Sequence, residues 1–86
     1  MIARLASIKL NKSRAAIVLG STIYLWGISE YNFLNDERYL KHELCHVRQF
    51  SDHGFVLFIC LYLLESIKMG YYDNRFEVEA RNAELI

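Results

Sequence analysis

The spacing of the apolar residues changes once along this 86-residue chain, near Asp36, and that change sets the fold class. Before it, Ala15–Leu19 and Thr22–Trp26 are two runs rich in β-branched and aromatic residues, separated by Gly20-Ser21. Glycine supplies the positive φ of a tight turn, so the two runs read as an antiparallel hairpin. Asn11-Lys12-Ser13-Arg14 reads as a turn, and residues 27–35 as a loop. Residues 2–10 fit either a short strand or a frayed helix. Asp36, or Asn35 before it, can cap a helix starting near Glu37, and from there Leu40, Leu44 and Val47 recur at helical spacing. A second helix is expected over 55–69, with Gly70 just past its end, and a third from about Arg75 to Leu85. The expected architecture is α+β: a short N-terminal β-hairpin or small sheet followed by three helices, in one domain spanning 1–86.

A domain of this size buries only roughly 60–65% of its unfolded surface, so a staple such as a metal would add much to its stability. Ten Lys/Arg balance ten Asp/Glu, which excludes a general electrostatic footprint for nucleic acid. The apolar fraction of 53% excludes disorder. Two cysteines, Cys45 and Cys60, make no disulfide framework. No sustained apolar stretch follows the basic residues at the start, so no secretory signal is expected and the cytoplasm is the expected compartment. The uninterrupted apolar run 55–64, bounded by Phe55 and Leu64, is ten residues long, against about 20 for a spanning helix. It reads as the core helix of a small domain. More of it is apolar than one face needs, so a homodimer or peripheral membrane contact through this run is a further expectation.

The chemistry lies in His42-Glu43-Leu44-Cys45-His46, an H-E-x-x-H segment on the first expected helix. Imidazoles at i and i+4 project from one face a turn apart, the separation that two ligands of a tetrahedral Zn²⁺ require. Glu43 can reach a metal-bound water and take its proton without binding the metal itself. A shuffled chain of this composition contains such a segment on the order of once in a hundred. His42, His46 and Gln49 lie roughly opposite the stripe of Leu40, Leu44 and Val47.

A catalytic zinc usually takes a third protein ligand. Cys45, Asp52, His53, Asp73, Glu77, Glu79 and Glu84 are the candidates, and a glutamate of the last helix is the best placed. Glu77 and Glu79 point about 200° apart, so only one of them can face the ion. Glu77 also fits a capping box with Asn74, a role that competes for the same carboxylate.

The segment His42–Gln49, followed by Asn74-Arg75-Phe76-Glu77-Val78-Glu79-Ala80, resembles the gluzincin metallopeptidases, and is closest to their smallest single-domain members. The resemblance covers roughly residues 14–84. It implies that Glu77, in its E-x-x-A context, is the third ligand, and that the strand before the motif aligns a peptide substrate. Three positions depart from the pattern. Arg81 stands where many members carry an acid that orients a ligand histidine, Arg75 where a proline is expected, and Cys45 is unusual within the motif. The expectation is a zinc-dependent metallopeptidase acting on peptides or unfolded protein. His42, His46 and Glu77 would hold Zn²⁺, Glu43 would be the general base, and Tyr72 the chosen oxyanion donor among Tyr71, Tyr72, Arg75, His53 and Arg81. The alternative is a weakly active or inactive zinc-stabilised interaction module of the same fold, with a membrane-peripheral placement as one form of it.

Overall fold

The hairpin forms where its turn residues place it. In the computed structural model, which describes residues 2–4 and 14–86, β2 (Ala15–Leu19) and β3 (Thr22–Trp26) pair antiparallel from Ala15 opposite Trp26 to Leu19 opposite Thr22. Gly20 turns between them at φ +66°, a value that favours glycine. A short first strand, β1 (Ile2–Arg4), adds to the far side of β3 in parallel, giving the order β1-β3-β2. Among the described residues β2 is therefore an edge strand. Residues 11–13 of the expected turn and most of the 2–10 segment lie outside the described residues.

Four helices follow, one more than the sequence reading expects. Within the segment read as a loop, α1 (Glu30–Leu34) makes a single capped turn, with the Ser29 hydroxyl accepting from the Asn32 amide at 3.1 Å. So short a helix leaves no periodic signature. It delivers Phe33, fully buried, against Ile23, Leu25 and Ile28. The side chain of Asp36 caps α2 (Glu37–His53) by accepting from the Tyr39 amide. α3 (Phe55–Asp73) breaks its helical path at Gly70, whose φ of +80° and ψ of 168° are open essentially only to glycine. α4 (Arg75–Ala83) starts at Asn74.

The core has two parts. Ile23 and Leu25 point inward from alternate positions of β3, and Leu40 and Val47 of α2 pack on their cluster. Phe50, Phe58 and Phe76, from α2, α3 and α4, form the second cluster, where Val18 of β2 also packs. Each such buried aromatic contributes about 1.5–3 kcal/mol. α2 runs through the middle, touching β2, β3, α1, α3 and α4. Its buried residues are Glu43, Cys45, His46, Gln49 and Phe50, so the polar face is the enclosed one, while Leu44 of the expected apolar stripe stands about half exposed. The run 55–64 is not a core helix as expected. Only Phe58 of α3 is buried, although α3 is long and apolar enough by length and composition to cross a membrane.

Candidate metal centre

α2 and α4 pack side by side and turn His42, His46 and Glu77 toward one point. Among the described residues, one donor atom from each of these three lies within 4.8 Å of the others. Glu77 Oε1 stands 3.2 Å from His42 Nε2 and 3.3 Å from His46 Nε2. Donors about 2.0–2.1 Å from a tetrahedral zinc stand about 3.3–3.4 Å apart, so the two spacings from Glu77 fit such an ion. The donor set also fits. Two imidazoles and one carboxylate are ligands of catalytic zinc, whereas closed structural sites favour thiolates.

The partners of the two Nδ1 atoms set the tautomers. His42 Nδ1 lies 2.8 Å from Glu84 Oε2, and an ionised carboxylate only accepts, so Nδ1 carries the proton. Gln49 Nε2 donates to the Phe76 carbonyl at 3.1 Å and to Glu79 Oε1 at 2.8 Å. Its amide is thereby oriented with Oε1 toward His46 Nδ1, 2.8 Å away, which must also be N–H. Each ring therefore turns Nε2 to the shared point, where it donates to Glu77 when protonated and offers a lone pair to a ligand when not. Glu84 thus supplies the orienting acid that Arg81 does not, from the C-terminal cap of α4, three residues further along the chain.

The charges reinforce the arrangement. A hydrogen bond to Glu77 pushes His42 up to about 9, against the opposing effect of burial. His46 is also raised: burial works against it, and the contacts with Glu77 outweigh burial. Burial would raise Glu77, but hydrogen bonds from His42 and His46 hold it well below the ordinary carboxylate range. Its second oxygen accepts from the Tyr62 hydroxyl at 2.5 Å. The capping box does not form: the Asn74 side chain accepts from the Phe76 amide, while the carboxylate of Glu77 stays in the cluster. Glu43 is buried and makes no hydrogen bond to another described residue. Burial pushes it up to about 7.

The cluster opens into a cleft of ≈ 490 Å³ between β2, α2 and α3, walled by Ile17, Phe58, Ile59 and Leu63. A second cavity of ≈ 570 Å³ adjoins it, lined by Arg14, Asp36, Arg38 and Glu84. Glu43, His42 and Tyr71 line both.

The other candidates are placed elsewhere. Glu79 reaches Arg48 at 3.3 Å and Gln49, on the side of α4 away from the imidazoles. Asp52 pairs with Arg48. The ring of His53 stacks on Phe58, with 6.1 Å between centroids. Cys45 points its Sγ at Glu79, 3.7 Å away, and burial pushes its thiol up, which keeps it in the less reactive protonated form. Tyr72 lines neither cavity. It is 69% exposed, with the Arg81 guanidinium 3.9 Å over its ring. Tyr71 is the tyrosine of that pair facing the cleft, and burial pushes its phenol up to about 12. Sequence reasoning missed Tyr62, although it is the one hydroxyl in the apolar run. Sequence reasoning places Gln49 on the face of His42 and His46 and Glu84 among the candidate ligands, but assigns neither of them the Nδ1 contact it makes. Comparison with protein-family models, with curated proteins and with solved structures finds no match.

Proposed function

We propose that the chain is a zinc-dependent peptidase with His42, His46 and Glu77 as metal ligands and Glu43 as general base. A zinc ion at that point supplies a Lewis acid, which polarises a carbonyl and acidifies water. The observation that carries the reading is the convergence of two imidazole Nε2 atoms, each with its Nδ1 committed to another partner, on one oxygen of Glu77, beside a buried carboxyl that makes no hydrogen bond among the described residues in the same cleft. Glu43 can take a proton from an attacking water and return it to the leaving amine; raised to about 7, it suits both tasks near neutral pH. Tyr71 keeps its proton at neutral pH and takes over from Tyr72 as the proposed donor to the developing oxyanion. The apolar walls of the cleft favour an extended segment with apolar side chains, consistent with peptide or unfolded-protein substrates. Likeness of the motif to the gluzincins agrees with this assignment.

Glu43→Gln separates this function from that of a zinc-stabilised interaction module. Cleavage of a denatured protein substrate is expected to fall by about 10²-fold or more, with one zinc per chain retained by elemental analysis. Zinc-loaded wild-type chain that cleaves no unstructured substrate would leave the module as the function.

A further inference from the structure

A helix that carries ten apolar residues in a row and buries only Phe58 has a face left unpartnered among the described residues. Val56, Leu57, Cys60, Leu63, Leu64 and Ile67 fall within one arc of about 120° on α3 at about 100° per residue. All six are exposed, from 54% at Leu57 to 83% at Ile67 among the five larger ones. The opposite side, with Phe58, Tyr62 and Ser66, faces α2 and α4. Val56, Cys60, Leu63 and Ile67 follow the 4-3-4 spacing of a helix-packing seam. No charged side chain interrupts it.

We propose that this face is an interface between two copies of the chain, α3 packing antiparallel on α3 about a two-fold axis midway between Cys60 and Leu63. In that register Val56 of each copy meets Ile67 of the other, and Cys60 meets Leu63, a smaller side chain against a larger one in every layer. A parallel pairing would set Lys68 beside Lys68, a like-charge contact that the antiparallel one avoids. The six side chains expose on the order of 600 Å², close to the roughly 800 Å² per partner of a stable interface.

Charge argues against lipid as the occupant. Helices that lie on a membrane carry several Lys/Arg along their polar side. Here the arc is flanked by one lysine, Lys68, and the chain has no net charge. Spanning is opposed by the domain side of the helix: Glu65 pairs with Arg75, and Asn74 donates to Ser66 and to the Tyr62 carbonyl. Leu63 also lines the cleft, so the second copy would wall its apolar end. The pairing rests on neither the metal nor the peptidase reading.

Sedimentation velocity of the full chain at tens of micromolar is expected to give twice the mass of one chain. Val56→Glu and Ile67→Glu, at residues outside the core and the cleft, should each raise the dissociation constant about tenfold or more with helix content unchanged. Register is read with two variants in a Cys60→Ser background, one carrying Val56→Cys and the other Ile67→Cys. Treated with diamide, their mixture should yield a covalent dimer that neither yields alone. A monomer at every concentration, a dimer indifferent to both glutamates, or a cross-link that forms equally without mixing would overturn the pairing. So would a monomeric chain that floats with phosphatidylcholine vesicles, which would assign the face to lipid.

Discussion

One carboxylate oxygen of Glu77 serves two imidazoles, and each imidazole has its own partner behind it. That second contact fixes which ring nitrogen is free, so removing it should loosen the metal without removing a ligand. Glu84→Ala is expected to weaken zinc affinity about 10–100-fold in competition with a chelating dye, with Glu84→Gln closer to wild type because its amide oxygen can still accept from Nδ1. In chelated protein the same residues make stability depend on pH. Glu77 is depressed, so its contribution is present above the unfolded value of about 4.5 and fades as pH falls below it. His42 is raised to about 9, so its contribution is complete below its unfolded value of 6.5 and is lost as pH climbs through 9. Urea midpoints of the metal-free chain should therefore be highest between about pH 4.5 and 6.5 and decline toward pH 9. Zinc affinity should run the other way over the alkaline part of that range, because a proton on Nε2 competes with the ion.

Among the elements, Asn74 is the join between α3 and α4. Fully buried, it accepts from the Phe76 amide at 2.8 Å and donates to Ser66 Oγ and the Tyr62 carbonyl. Asn74→Ala should cost about 1–3 kcal/mol in chemical denaturation, through the lost cap and the buried groups left unpaired. The sequence made this helix start legible, because a cap is a local device. It made the hairpin legible through Gly20-Ser21 and α2 through Asp36, for the same reason. Contacts that depend on how elements meet were not legible. Tyr71 faces the cleft and Tyr72 does not because the chain turns at Gly70 with φ +80°, and helical phase cannot be carried across such a break. α3 is apolar all round its first ten residues, so its pattern did not say which side the domain would leave uncovered. Glu77 was identifiable as a candidate by spacing, but only the approach of α4 to α2 puts its oxygen between the two rings.

For the molecule as a whole, the core among the described residues is two small clusters of aromatic and aliphatic side chains. A ligand that binds only the folded chain adds about 2.7 kcal/mol at a hundredfold excess over its dissociation constant. In a domain this size each kcal/mol moves the melting temperature by about 4–8 °C. If zinc is bound as proposed, a chelator should thus lower the melting temperature of the zinc-loaded chain by about 10 °C or more, and zinc should restore it in proportion to the logarithm of its concentration, as calorimetry would show. A chain indifferent to both treatments would have no metal linked to its folding.

The central position of α2 has a further consequence. Every other helix and the hairpin lean on it, so its middle turns cannot open while the remainder stays closed. Amide protons from His42 to Phe50 should then trade with solvent deuterium only when the entire chain lets go, and the two imidazoles belong to the last segment to come apart.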